Sequence, residues 1–226
     1  MAFTQTSLNF ASRDMDALNP GLTHQFVSVI KFLIYSPQSS KKPNGGYAAP
    51  ELGSENHIRQ LAISFLNSRQ FRSPVAPQTI PDQMVSVILH EYFNVEESEL
   101  FRISREHALS MGAENFVGEL LERYLASVLE AMGWIWCSGS VVRAADFIKF
   151  DNGIWHVLQV KNRDNSENSS SSAIRVGTDI KKWFRTFSRR AGSNWEAFPD
   201  DIAKGYLSEE GFIRFTRQHL THLKTL

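Results

Sequence analysis

The chain has 226 residues, 42% of them hydrophobic and 21% charged, with 24 Lys+Arg against 24 Asp+Glu and a single cysteine. That length supports one domain, or one core with an elaborated flank, around a real hydrophobic core. No apolar run is long enough to span a membrane. Cys137 alone forms neither an intramolecular disulfide nor a cysteine-based zinc site. The opening residues MAFTQTSLNFASRD lack the basic and apolar regions of a signal peptide, so the expected setting is a reducing cytoplasm.

The neutral total hides an asymmetry. Residues 141–226 carry 14 Lys+Arg against 10 Asp+Glu, residues 1–140 carry 10 against 14, and the stretch 161–190 carries 8 against 3. That basic stretch is a candidate phosphate-binding surface; the bland alternative is a solvated helix face.

In chain order, the first 110 or so residues read as helical. Thr23 to Tyr35 (THQFVSVIKFLIY) has apolar residues at helical spacing behind a possible Thr23 cap. The Pro- and Gly-rich stretch 36–54 interrupts regular structure. Asn56 to Asn67 and Pro81 to Phe93 are two further amphipathic helices, the second opening on Pro81 and Asp82. Asn115 to Met132 is a long helix that Gly133 terminates. Its apolar face consists of Val117, Leu121, Leu125, Val128, Leu129 and Met132, with Glu122 at the border and Glu119 nearer solvent. Three strands follow: Trp134 to Cys137 (WIWC), Ala145 to Phe150 (ADFIKF) and Ile154 to Val160 (IWHVLQV), the last two joined by an Asp151–Asn152–Gly153 turn. After the polar loop 162–172, Thr178 is expected to cap a helix over Asp179 to Arg190, and a last helix lies near Glu209 to Lys224. The expected organisation is a helical region, 1–112, packed on a core, 113–226.

The hairpin carries the chemistry. Asp146 sits on its first strand, and Gln159 and Lys161 lie near the end of its second. Strand side chains alternate, so Gln159 and Lys161 project together beside Asp146. An acid, an oxygen ligand and an ammonium at the open end of a small sheet suit metal-assisted phosphodiester hydrolysis.

This pattern resembles the PD-(D/E)XK nuclease superfamily in the variant with glutamine in place of the second acid. Ala145 stands where that family has its proline. The resemblance implies an α/β (α+β) restriction-endonuclease-like core, a small mixed sheet flanked by helices with a helical N-terminal elaboration. LERYLASVLEAMGW (121–134) is similar to the helix before the site in Mrr-like and RecB-like nucleases, where a glutamate near the helix start serves the metal; Glu122 occupies that place, with Glu119 as the alternate. The implied ligand set is Asp146, Gln159, the Val160 carbonyl and Glu122, and the implied cofactor is Mg²⁺, for which Mn²⁺ can substitute. More narrowly, the stretch from Asp146 through QVKNRDNSENSSSSAIRVGTDIKKWFR is similar to type II restriction endonucleases of the SinI group. That similarity implies a homodimer cutting double-stranded DNA at a short palindrome of the GG(A/T)CC kind, beside a cognate DNA methyltransferase. A modification-dependent or repair nuclease of the Mrr type, and a non-catalytic DNA-binding protein with a decayed site, are the alternatives.

Asn162, Arg163, Asn165, Asn168, Ser170, Ser171 and Arg175 follow the catalytic strand and are candidates for DNA contact and base reading. Lys181, Lys182 and Arg185, with Arg189 and Arg190, are candidates for phosphates. Trp183, Phe184 and Phe187 read as a buried helical stripe. His90–Glu91 lacks the second histidine of a zinc-binding helix and is expected on a surface helix, and His219 with His222, lacking a cysteine or acidic partner, is expected on a solvated C-terminal helix.

Overall fold

The computed structural model describes residues 2–165 and 179–225. The chain forms two compact units, residues 1–71 with 122–226, and residues 72–121. The first unit holds the helices α1 (Gln5–Leu18), α2 (Thr23–Tyr35) and α3 (Glu55–Asn67), a four-stranded sheet, and α6 (Glu209–Leu223). The second holds α4 (Gln83–Glu91) and the first part of α5 (Glu97–Leu129), within which the unit boundary falls.

Each N-terminal helix forms because its apolar residues share one face. Phe26, Val29, Ile30, Phe32 and Leu33 are buried on α2, and Ile58, Leu61, Ala62 and Phe65 on α3. The rings of Phe26 and Phe65 meet at 5.4 Å. Thr23 is the first residue of α2, and its hydroxyl turns to Asp16 at 2.5 Å. Asp82 caps α4, accepting from the Met84 N–H, so this helix opens one residue after its acid and ends at Glu91.

The strand order is β1-β2-β3-β4, with β1 (Ile135–Trp136), β2 (Phe147–Asp151) and β3 (Ile154–Arg163) antiparallel and β4 (Ile180–Thr186) parallel to β3. This mixed sheet flanked by helices matches the α+β architecture expected from the sequence. Asp151 pairs with Ile154 across Asn152 and Gly153, both at positive φ (50° and 82°), as the tightest twisted hairpin turn requires. One face of the sheet, through Ile135, Ile148 and Val157, joins the core of α1 to α3. On the other face Trp183 meets Trp195 at a tilt and Phe198 edge-on, at 5.1 Å each, and Tyr124 of α5 meets Trp195 edge-on at 5.8 Å.

The helix expected over 179–190 is corrected to a strand, and Thr178 lies outside the described residues. In IKKWFRT both strand faces mix apolar and basic residues, so alternation is hidden. Pairing along β3 over Val157↔Ile180 to Arg163↔Thr186 then decides the conformation. The helix expected from Asn115 begins at Glu97 instead. Its early turns are supported by Arg102, which bridges Glu99 and Glu106 at helical spacing.

Arg69, just past α3, ties the first unit together. It pairs with Glu130 through both terminal nitrogens (2.6 and 3.1 Å), donates to the Trp136 carbonyl at 2.9 Å and the Ser138 hydroxyl at 3.1 Å, and lies over the Phe65 ring. Arg123 in turn donates to the carbonyls of Ser68, Arg69 and Gln70, which end that helix. Removing one partner of such a largely buried pair leaves the other unmatched, so Arg69→Ala is expected to cost about 3 kcal/mol. Urea unfolding measures this; a loss below about 1 kcal/mol would place the tie elsewhere.

Candidate active site

The site lies at the end of the β2–β3 hairpin opposite its turn. Asp146 occupies a bend immediately before β2, held on both sides by backbone. Its N–H donates to the Leu158 carbonyl at 2.9 Å, and its carbonyl accepts from the Cys137 N–H at 2.8 Å. Its side chain reaches across to β3, where Oδ2 accepts from the Val160 N–H at 2.7 Å. The carboxylate is thereby seated at the residue between Gln159 and Lys161.

Gln159 and Lys161 share the side of β3 that carries Val157, by strand alternation. Gln159 is buried, and Lys161 is half-buried and close enough to act electrostatically on Asp146. Burial pushes the Asp146 carboxyl up to about 6, against the opposing pulls of the Val160 N–H and the Lys161 charge. A carboxylate this poorly solvated is stabilised by any cation brought to it.

Glu122 lies about two turns before the end of α5. Its Oε2 accepts from the Trp136 indole N–H at 2.9 Å, which fixes the carboxylate against β1. The buried Cys137 thiol, pushed well up by burial, also feels Asp146, Glu122 and Glu130. Asp146 and Glu122 therefore share one electrostatic neighbourhood. Trp136 was not singled out in the sequence, although alternation in WIWC puts Trp134 and Trp136 on one strand face. Glu119 belongs to the other compact unit.

Among the described residues no group of three or more His, Cys, Asp or Glu gathers to bind a metal. The residues here that could hold a metal are Asp146 and the neutral oxygens beside it, Gln159 Oε1 and the Val160 carbonyl. One carboxylate plus carbonyl oxygens, with water and substrate filling the rest, fits Mg²⁺, which retains several waters and prefers hard ligands. His219 and His222 instead pack on Phe71, with ring centroids 4.9 and 4.8 Å away, and His90 Nδ1 meets the Val95 carbonyl.

The DNA-contact candidates are distributed unevenly. Arg163, Asn165 and Lys181 are exposed, and Lys182, half-buried, pairs with Gln159 in register. Arg185 is engaged internally: it pairs with Glu209, bonds the Asn162 side chain at 3.0 Å and covers the Phe212 ring. Asn168, Ser170, Ser171 and Arg175 lie outside the described residues.

The model of the SinI restriction endonuclease family matches residues 7–222. The chain belongs to this family. It is 50% identical over 224 residues to the type II restriction enzyme Eco47I of Escherichia coli, and 48% identical over 224 residues to the type II restriction enzyme SinI of Salmonella infantis. Each alignment covers 98% of this chain and 97% of the relative, so the family resemblance includes the helical N-terminal region as well as the hairpin.

The raised Asp146 carboxyl makes a prediction about stability. Its folded value lies above the ordinary 3.8, so ionisation works against folding as pH rises from about 4 to about 6. Asp146→Asn keeps an acceptor for the Val160 N–H without the charge. This variant is expected to melt above the wild type at pH 8, with the gap closing as pH falls to 4. Millimolar Mg²⁺ should narrow the gap at pH 8 by stabilising the wild type alone. Equal melting at pH 8 without metal would contradict the desolvated carboxylate.

Proposed function

We propose that this chain is a type II restriction endonuclease that hydrolyses phosphodiester bonds of double-stranded DNA at a short palindromic site with Mg²⁺, or Mn²⁺ in its place. The observation that carries the reading is the seating of Asp146 on the Val160 N–H, between Gln159 and Lys161, in a chain of the SinI restriction endonuclease family. The full-length similarity to two type II restriction enzymes supports the same class.

In this reading Asp146, Gln159 Oε1 and the Val160 carbonyl hold the metal, and Glu122, anchored by Trp136, supplies the second carboxylate. A metal held by these residues would supply Lewis acidity, polarising the phosphate and lowering the pKa of a bound water. Lys161 holds the attacking water in line and offsets charge developing on the phosphate oxygens. Asp146 balances the Lys161 ammonium so that the site is not repelled by its own cations. Arg163, Lys181 and Lys182 neutralise neighbouring phosphates, while Arg185 braces β4 against α6. Asn162 and Asn165, with the loop residues Asn168, Ser170, Ser171 and Arg175, read base edges.

Two copies related by a two-fold axis match a palindrome and cut one strand each. A site of the GG(A/T)CC kind belongs to the same proposal. An enzyme of this kind works in the cytoplasm beside a DNA methyltransferase that protects the host's own sites.

Plasmid digestion with Mg²⁺ tests the reading. The wild type should yield discrete fragments, Asp146→Ala none, and Lys161→Ala the same fragments ~10²–10⁴-fold more slowly. Glu122→Gln should raise the Mg²⁺ requirement more than Glu119→Gln. Discrete fragments from a folded Asp146→Ala protein would refute the site; no cleavage of any methylation-free DNA by the wild type would refute the function.

A further inference from the structure

The unit 72–121 has an unusual surface. On α4 the half-buried positions are Ser86, Leu89 and His90, while the apolar stripe Met84, Val85 and Ile88 is more than half exposed. No residue of α4 is buried. The stripe runs on into Tyr92 and Phe93, 77% and 62% exposed, whose rings contact each other at 5.0 Å. Phe101, on α5 of the same unit, is 79% exposed. An amphipathic helix that turns its apolar face outward lacks a cover for that face.

Size and charge constrain the occupant. At about 200 Å² per aromatic and about 100 Å² per aliphatic side chain, each reduced to its exposed fraction, these six residues present roughly 600 Å² of apolar surface. That is at the upper end of what monomers expose, and most of the ~800 Å² that each partner of a stable complex buries. Residues 72–121 contain three Arg and no Lys against eight Asp+Glu. Such a unit repels DNA phosphates and anionic headgroups, whereas the stripe itself carries no charge, so its occupant is an apolar protein surface that meets the stripe alone.

We propose that the α4 stripe with Tyr92 and Phe93 is a self-association surface, covered by the same stripe of a second copy of this chain. An isologous contact needs only one patch to complement itself, and a helix stripe does so by crossing its symmetry mate. The choice of a second copy over another protein rests on the endonuclease reading, in which cutting both strands of a palindrome needs two sites.

Sedimentation of the full chain at micromolar concentration tests this, with circular dichroism to check folding and plasmid digestion in parallel. The wild type is expected to be a dimer. The pair Val85→Glu and Ile88→Glu should weaken dimerisation by ~100-fold or more, because it buries carboxylates in an apolar contact. Ile202→Glu, at an exposed apolar position of the other unit, should leave the dimer intact. If the glutamate pair does not fold, Val85→Ser with Ile88→Ser decides, and a weakened dimer is again expected. A monomeric wild type, or a serine or glutamate pair that folds and dimerises as tightly as the wild type, overturns the proposal. A wild-type dimer, dissociated by these substitutions, that cuts no DNA would support the surface while refuting the endonuclease reading. A wild-type monomer that cuts DNA into discrete fragments would do the reverse.

Discussion

The register of the β2–β3 hairpin is the constraint on which the site depends. It is set by a two-residue turn whose residues both take positive φ, and a side chain period of two makes any one-residue slip move Gln159 and Lys161 to the opposite face. The bond from the Val160 N–H to Asp146 Oδ2 closes the far end of the same hairpin, so the register is held at both ends. With it held, Val157 enters the core under α1 to α3, and the residues two and four positions on project beside Asp146. The same strand thus anchors the fold with one residue and carries the candidate residues Gln159 and Lys161 as the next two on its side.

The surrounding structure stabilises a carboxylate that burial disfavours. Asp146 has backbone partners in Cys137, just after β1, and in β3, and Lys161 supplies an opposing charge, yet its carboxyl remains raised to about 6. A fully compensated acid would have little affinity for a cation. The cost is carried by neighbouring ties that do not touch the reaction: Arg69 with Glu130, Arg123 at the end of α3, and Gly139, where a Cβ would meet the Ser64 carbonyl at 2.4 Å. Trp136 joins the two sets, since its indole accepts the stacking of Arg69 and Arg123 while its N–H orients Glu122.

Much of this was legible in the sequence for specific reasons. Asn152–Gly153 between two apolar alternations encodes a hairpin locally, and Gly133 at φ 84° ends the helical stretch as its type suggests. The α2 helix matches its expected span from Thr23 to Tyr35 because its five buried apolar residues repeat at helical spacing. The strand β4 was not legible, because its fold depends on a partner in β3 and its two faces carry no clean pattern. Arg185 reads as one cation among several, and its engagement with Glu209 depends on a helix 24 residues away. The anchoring of Glu122 by Trp136 is likewise a contact between distant elements. The outward stripe of α4 has the periodicity of any amphipathic helix, which does not reveal which side faces out.

The central claim is that one cation binds at the end of this hairpin, against Asp146, Gln159 and the Val160 carbonyl. Replacing Mg²⁺ by Fe²⁺ and generating hydroxyl radicals with ascorbate and peroxide cuts the protein backbone next to the bound metal, and mass spectrometry locates the cuts. The account predicts cleavage around residue 146 and residues 159–161, suppressed by excess Mg²⁺ and absent in Asp146→Ala. Mg²⁺-suppressible cuts confined to other segments, with none at the hairpin, would contradict it.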